Sequence, residues 1–372
     1  PLAPWKSDIL ELFESGSPAL KSKILVMTSK HPDIIPDEVI TPLIQHEDES
    51  LAARAMISCG IRQNASTAGQ LVELLSESSK ERKAAAAASL ILMEDTSSTQ
   101  ANETINKMLF DKDDDTQLAA LSSVGHISGI LSDEGLAKLL NDDSPDVRSR
   151  AAQLAEERSN ESLISPLVRN LDDPHTLPAA RRALKSFDES TVADKLGNVL
   201  NDEETSATLL IGAVRTLSDY RDHADLEKII EQGSSDELDL TKEVVDSLLK
   251  LARLSPLPEE VINKGAALLR AMAEETYFAL TLLQTFEDDE KAYLIRDFLS
   301  TTVTKRKGII LKLALLPFPD SPIETYMHAL TAGESGAQSN VLEILDNLLS
   351  IEIRELIIPL FDDSDLSEKV VR

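Results

Sequence analysis

The sequence is poor in cysteine, in long apolar runs and in aromatic residues. Cys59 is the single cysteine, so no intramolecular disulfide can form, and a reducing compartment is favoured. Aromatic residues make up only 3% of the chain. No apolar run approaches the roughly 18 uncharged residues of a membrane span, because the best candidate, residues 308–318, is short and contains Lys312. Leu, Ala and Ile dominate instead, which suits the packing of helices on helices.

Positive charge is also scarce. The chain has 37 basic against 65 acidic residues and a net charge of −28. Phosphate backbones and anionic lipid surfaces repel such a surface, so neither nucleic acid nor a membrane is an expected partner. Basic protein partners are favoured.

Motifs for catalysis and for metal binding are lacking as well. No phosphate-binding loop, nucleophile elbow or dinucleotide fingerprint occurs, and the six histidines are scattered singly. Asp111, Asp113 and Asp115 match three positions of a calcium loop, but Thr116 replaces its glycine and Ser122 its final glutamate. We therefore expect no enzyme activity, and assign no catalytic residue, cofactor or metal.

What the sequence does contain is a repeat. An apolar residue followed by an acidic turn occurs at Leu140, Leu171 and Leu200, which are 31 and 29 residues apart. Weaker copies follow Phe13, Ile44, Leu75, Leu109, Ile230, Leu330 and Leu360. Self-similarity at this period predicts a solenoid of stacked units.

Each unit reads as two helices. In the run 141–155, Ser144 is a good N-cap and Pro145 stands at the first helical position, where a missing N–H costs nothing. An apolar stripe at helical spacing follows, and residues 163–171 carry a second one. No alternation of period two predicts a strand.

This unit resembles HEAT repeats of the D-x-x-V-R variety. The resemblance is carried by Asp143, Pro145, Val147, Arg148 and Ala152. It implies an all-α fold, a right-handed α–α superhelix of roughly ten to eleven helix pairs with no sheet. It also implies structural roles for Asp143, Asp146 and Arg148, in which turn aspartates accept backbone N–H groups and the arginine reaches an aspartate of the adjacent repeat.

The repeat is not uniform along the chain. We expect regular repeats over 1–231, an irregular part of the same solenoid over 232–300, and C-terminal repeats over 301–372 with the last one truncated. The irregular part contains patterns typical of longer helices at 238–254, 259–286 and 291–300.

The departure from regularity coincides with a concentration of aromatic and basic residues. Seven of the thirteen aromatics and the densest basic cluster lie in 277–326. Such residues are typical of binding hot spots. The sequence thus suggests a partner-binding site at Tyr277, Phe278, Tyr293, Lys305, Arg306 and Lys307. The alternative is that longer helices need larger side chains to fill wider gaps.

A second resemblance covers residues 307–363, most specifically 339–349 and 358–363. This segment is similar to the cytoplasmic HEAT-repeat region of bacterial ATP/ADP-translocase-like or major-facilitator-type membrane proteins. The resemblance implies a non-catalytic interaction, scaffolding or regulatory module on the cytoplasmic side of an inner membrane. Its partner would be a protein or the membrane domain of its own chain. The absent initial Met and the end of the chain at the start of a helical pattern predict a fragment of such a protein.

Two alternatives stay open at this point. HEAT-like repeats of this period also occur in bilin lyases, so the chain could be an enzyme subunit that binds a bilin. A third possibility is a free cytosolic scaffold unrelated to transporters.

Overall fold

A computed structural model describes residues 5–77, 79–94, 96–125, 127, 130–286, 290–321, 343 and 345–361. Every regular element among these residues is a helix, which confirms the predicted all-α fold. The chain forms two compact units. The first comprises Pro1–Asn170 with Pro174–Ser186, and the second comprises Leu171–Asp173 with Phe187–Arg372.

The first unit contains twelve α-helices among its described residues. They are α1 (Lys6–Ser15), α2 (Pro18–Thr28), α3 (Asp37–Ile40), α4 (Glu49–Ile61), α5 (Ala68–Leu74), α6 (Lys80–Leu92), α7 (Ser98–Leu109), α8 (Asp114–Val124), α9 (Asp133–Leu139), α10 (Pro145–Ala155), α11 (Ile164–Arg169) and α12 (Leu177–Leu184). Helices α2, α4, α6, α8, α10 and α12 stack in that order, and α5, α7, α9 and α11 pack beside them as the second member of each pair.

The second unit continues the pairing with longer elements. Its helices are α13 (Glu189–Leu200), α14 (Ala207–Leu217), α15 (Leu226–Glu231), α16 (Leu238–Leu254), α17 (Glu259–Thr285), α18 (Tyr293–Ala314) and α19 (Ile351–Phe361). Here α14 packs on α16 and α16 on α18, while α17 packs on α15, α18 and α19.

The long helices that the sequence indicated are present. Helix α16 has the expected bounds, and α17 ends one residue before the predicted end. Helix α18 continues without a break through residues 300 and 301, and the compact units divide near residues 186 and 187. The boundary inferred from sequence at residues 300 and 301 thus falls inside α18, and the two compact units divide at a different place.

Local sequence explains where eight of the nineteen described α-helices begin. The side chain of the N-cap residue accepts a hydrogen bond from the backbone N–H three residues on, which satisfies one of the free donors of the first turn. The residues that do so are Ser17, Asp48, Ser79, Asp113, Ser132, Asp188, Ser206 and Asp225. Ser144 and Pro145 occupy the N-cap and first position of α10 as predicted, although the Ser144 hydroxyl makes no capping bond.

The repeat leucines and their equivalents form the core. They are buried at Phe13, Ile44, Leu75, Leu109, Leu140, Leu171, Leu200, Ile230 and Leu360, and Leu330 lies outside the described residues. Small residues between these core positions allow neighbouring helices to approach closely. A Cβ at Gly60 of α4 would lie 2.7 Å from the Ser89 Cα of α6. The buried alanines Ala84–Ala88 of α6 fit the same close contact.

Candidate functional site

The turn at 141–148 is a structural joint between repeats. Arg148 donates from Nη1 to the carbonyl oxygens of Asp142 and Asp143 at 2.8 and 3.0 Å, and from Nε to Asn170 Oδ1 at 3.0 Å. The arginine thus reaches Asn170 in the adjacent repeat, 22 residues along the chain. The aspartate that accepts a backbone N–H is Asp142, which bonds Ser144 N at 3.0 Å.

Asn170 completes this joint. The side chain is buried, and its Nδ2 donates to the carbonyl oxygens of Leu140 at 2.7 Å and Pro166 at 3.0 Å. Each polar atom of the Asn170 amide therefore has a partner. Sequence reasoning missed this residue, although it immediately precedes the repeat leucine Leu171 and lies 30 residues after Leu140.

Asp146 also links two repeats. Its Oδ1 lies 2.8 Å from His175 Nε2, 29 residues along the chain, and both side chains are exposed. Similar links at a separation of one repeat join Arg158 to the Leu131 carbonyl at 3.1 Å and Lys250 to Asp219 at 2.6 Å. Because contacts of this kind recur at a separation of one repeat, we interpret these charged residues as structural links between successive repeats.

The acidic turn at 111–115 is used in the same structural way. Asp113 caps α8 by accepting Thr116 N at 2.9 Å, and Asp111 Oδ1 accepts Asp113 N at 3.1 Å. Lys80 of α6 binds Asp113 at 2.6 Å and Asp115 at 3.5 Å. The hydrogen bonds from Lys80 and then Thr116 lower the pKa of Asp113 to about 2.

Side chains that could bind a metal ion do not cluster in the part of the chain that the structure describes. Within it, no group of three His, Cys, Asp or Glu side chains is arranged to hold a metal ion. Cys59 is buried, and this burial, followed by the charge of Asp37, raises the pKa of its thiol to about 11. A thiol held neutral in this way is a poor nucleophile. His126, His328 and Tyr326 lie outside the described residues.

The three aromatic residues that we assigned to partner binding lie on α17 and α18 in different environments. Phe278 and Tyr293 are exposed. Tyr277 is half-buried, and its hydroxyl donates to the carbonyl oxygen of Leu356 in α19 at 2.9 Å. Tyr277 therefore attaches α19 to α17, while the other two side chains face outward.

The three basic residues are engaged within the unit. Lys305 Nζ lies 3.2 Å from Asp239 of α16, and Arg306 Nη2 lies 2.6 Å from Glu275 of α17. Lys307 Nζ lies 5.8 Å from the centre of the Phe361 ring, within range of a cation–π interaction. All three side chains thus connect α18 to neighbouring helices. Their positive charges are engaged in these contacts and do not form a free basic patch.

The site residues assigned from the sequence omit three exposed apolar residues of this region, although Phe298 is one of the seven aromatics counted there. Leu294, Ile295 and Phe298 lie on the first half of α18, next to Tyr293. Together with Phe278 they form an exposed apolar surface, called here the α17–α18 surface, whose five side chains are between 49% and 77% exposed. The second half of α18 differs, since its apolar residues such as Ile310 are buried. A helical pattern shows which residues share a face but not whether another helix covers it.

A groove runs beside this surface. It has a volume of about 560 Å³, and its apolar wall includes Phe278 and Leu282 of α17 and Phe298 of α18. Asp236 and Glu237, at the start of α16, stand at its rim. Lys305 and Arg306 also line the groove, where they pair with Asp239 and Glu275. Asp236 and Glu237 form no ion pair within the described residues, so negative charge predominates in the lining.

No described helix has a segment that is both long and apolar enough to cross a bilayer. This finding includes α17, with 27 residues, and α18, with 22, whose sequences contain several charged residues each.

Comparison with known proteins points to the same architecture. The family model for HEAT repeats matches residues 132–217, a stretch that contains the joint of Arg148 and Asn170. No curated protein matches the chain. Paired helices, buried leucines one repeat apart and the match at 132–217 together show that the chain has a HEAT-like helical repeat fold.

Proposed function

We propose that the protein is a non-catalytic interaction module that binds a protein partner through the α17–α18 surface. The observation that carries this proposal is the exposure of five large apolar side chains on two adjacent helices. HEAT repeats commonly mediate protein interaction and scaffolding, which supports this kind of function.

Physical chemistry favours covering this surface. Burial of apolar surface contributes about 25 cal/mol of favourable free energy per Å². Large exposed apolar patches on folded proteins mark interaction sites. Aromatic side chains such as Phe278 and Phe298 supply large contact areas with few rotatable bonds, which is why they are typical anchors. The neighbouring groove offers room for one inserted side chain of a partner.

The charge of the region selects the partner. Asp236 and Glu237 at the groove rim, together with the net charge of −28, favour a segment in which basic residues flank apolar ones. Lys305 and Arg306 of α18 are held by Asp239 and Glu275, so these two side chains offer little to an acidic partner.

An affinity purification with matched variants tests this function. The tagged full chain would be compared with the double variant Leu294→Ser, Phe298→Ser and with the control Leu254→Ser, whose side chain is 65% exposed at the far end of α16. We expect a protein that the wild type and the control retain and the double variant loses. Recovery of the same proteins by all three chains would refute the α17–α18 surface as the binding site.

We further propose that the module belongs to a larger membrane protein of the translocase-like or major-facilitator type. The support is the similarity of residues 307–363, although much of the most specific stretch, 339–349, lies outside the described residues. In such a protein the partner would be the membrane part of the same chain. The complete reading frame tests this: transporter-type membrane segments in the same frame would support it, and a frame without them would refute it.

A further inference from the structure

Helices α1 and α2 leave an apolar face exposed in the first unit. Its members are large side chains that are between 38% and 65% exposed, at Trp5, Leu12, Leu20, Val26 and Met27. We call these five side chains the α1–α2 face. Helix pairs at the edge of a repeat array ordinarily have a polar outer face, and large exposed apolar patches mark interaction sites. The α1–α2 face is therefore a candidate interaction surface.

The three members on α2 share one side of that helix. At 100° per residue, Leu20, Val26 and Met27 lie within about 120° of one another. Leu25, which is buried, faces the opposite way. A helix that is apolar on two sides is typical of a position between two other layers, so the composition of α2 suits burial on both sides.

The apolar residues of α1 adjoin this side of α2. Trp5, the N-cap of α1, and Leu12 are seven residues apart, so they lie on the same side of the helix. At the connection between the helices, a Cβ at Gly16 would lie 2.6 Å from the Leu12 carbonyl oxygen and 3.1 Å from Leu20 Cδ2. Leu20 therefore lies against the end of α1, and the two apolar stripes meet there.

The charges around this face are separated by helix. Asp8, Glu11 and Glu14 are exposed on α1, which has three acids and one lysine. Lys23 and Lys30 are exposed on α2 and just after it, and α2 contains no acidic residue. Within the described chain these five side chains form no ion pair, neither with each other nor with a third helix. Their charges are thus available to a second molecule.

A second copy of the same face complements this pattern. A twofold axis that runs along the helices, between the copies, places α1 of one copy on α2 of the other, so that acids meet lysines. A twofold axis across the helices would instead place α1 on α1 and bring acids against acids, which costs free energy. The separation of charge between α1 and α2 therefore favours the first arrangement.

We propose that two copies of the chain associate through the α1–α2 face, with α1 of each copy packed on α2 of the other. Burial of the apolar side chains drives the association, and the charges at the edge set its orientation. At about 0.15 M salt, charges further apart than roughly 8 Å are screened, so contacts within the face outweigh the repulsion between two chains of net charge −28. No residue of the α17–α18 surface takes part, so the association is independent of the proposed function.

Sedimentation equilibrium of the full chain at about 0.15 M salt tests the proposal. We expect a concentration-dependent dimer with a dissociation constant of about 100 μM or tighter. The double variant Leu12→Ser, Leu20→Ser should weaken it about tenfold or more, whereas the control Leu294→Ser, Phe298→Ser on the α17–α18 surface should not. A chain that is monomeric up to about 100 μM, or a dimer that survives in the Leu12 and Leu20 variant, would overturn the proposal.

Charge reversal tests the arrangement without touching the apolar side chains. Asp8→Lys with Glu11→Lys makes both helices predominantly basic, and Lys23→Glu with Lys30→Glu makes both predominantly acidic. Each variant alone should dimerise about tenfold or more weakly than the wild type, and an equal mixture of the two should recover the wild-type affinity as a mixed dimer. Wild-type affinity in each variant alone, or no recovery in the mixture, would overturn the proposed pairing of α1 with α2.

Discussion

Asn170 Nδ2 donates a hydrogen bond to the carbonyl oxygen of Leu140 at 2.7 Å, 30 residues earlier. The bond joins the ends of successive repeat units. The Oδ1 atom of the same amide accepts a hydrogen bond from Arg148 Nε. One buried side chain thus fixes the register of two repeats and positions the arginine between them. The charged turn of the repeat is explained by this joint.

Replacement of Asn170 tests the joint. Asn170→Ala leaves the buried carbonyl oxygens of Leu140 and Pro166 without this donor and removes an acceptor of Arg148, so we expect a loss of about 2–3 kcal/mol in the free energy of unfolding. Urea denaturation measures it. Asn106→Ala is the control, because Asn106 is exposed and its side-chain amide donates to the carbonyl oxygen of Asn102 in its own helix. We expect that variant to change stability by less than about 0.5 kcal/mol. Equal effects of both would contradict the role of Asn170.

Two helical glycines should respond in opposite directions to the same substitution. Gly60→Ala forces a Cβ against the backbone of Ser89, and we expect it to cost about 1–3 kcal/mol. Gly197→Ala in α13 meets no atom within 4 Å, and the higher helix propensity of alanine should stabilise the protein by about 0.5–1 kcal/mol. Thermal unfolding distinguishes them. A stabilising Gly60→Ala would show that α4 and α6 lie further apart than the structure has them.

The pKa of Asp113 should depend on Lys80. The hydrogen bond from Lys80 is the main cause that lowers this pKa to about 2. Because a carboxyl with a depressed folded pKa stabilises only when ionised, its contribution is present above about pH 4 and is lost as the pH falls towards 2. We expect Lys80→Met to raise the pKa towards its ordinary value, measured by carboxyl carbon NMR titration.

Asp188 is the internal control in that titration. Hydrogen bonds from Thr191 lower its pKa, and Lys80 takes no part in them. Its titration should therefore be identical in the wild type and in Lys80→Met. A variant in which the Asp113 pKa is unchanged would show that the ion pair does not form in solution.

The two halves of α18 should differ in their sensitivity to mutation. Leu294 is exposed, so Leu294→Ala should change the free energy of unfolding by less than about 0.5 kcal/mol. Leu311 is buried on the same helix, and Leu311→Ala should cost about 2–5 kcal/mol. Chemical denaturation compares the two. A large loss in Leu294→Ala would mean that another part of the chain covers the α17–α18 surface.

The repeat, the helical class and the long helices could be predicted from sequence because they depend on local signals. The spacing of Leu140, Leu171 and Leu200 gives the period, and the bounds of α16 follow from its apolar stripe. Ser144 and Pro145 mark the start of α10 through the backbone chemistry of the first turn.

The partners of individual side chains could not be predicted in the same way. Lys305 meets Asp239, which is 66 residues away, and only the packing of α18 on α16 brings them together. Leu294, Ile295 and Phe298 look like core residues in the sequence, since an apolar stripe is the same whether or not a helix covers it. The pairing of the basic cluster and the exposure of this part of α18 both depend on contacts between residues far apart in the sequence.

Hydrogen–deuterium exchange of the full chain, alone and with the partner recovered by affinity purification, tests the proposed function most directly. If the partner docks on the α17–α18 surface, slower exchange should appear in residues 275–286 and 293–302, with little change in the first unit. Protection confined to other helices, with exchange in these two segments unaltered, would contradict the proposed binding site.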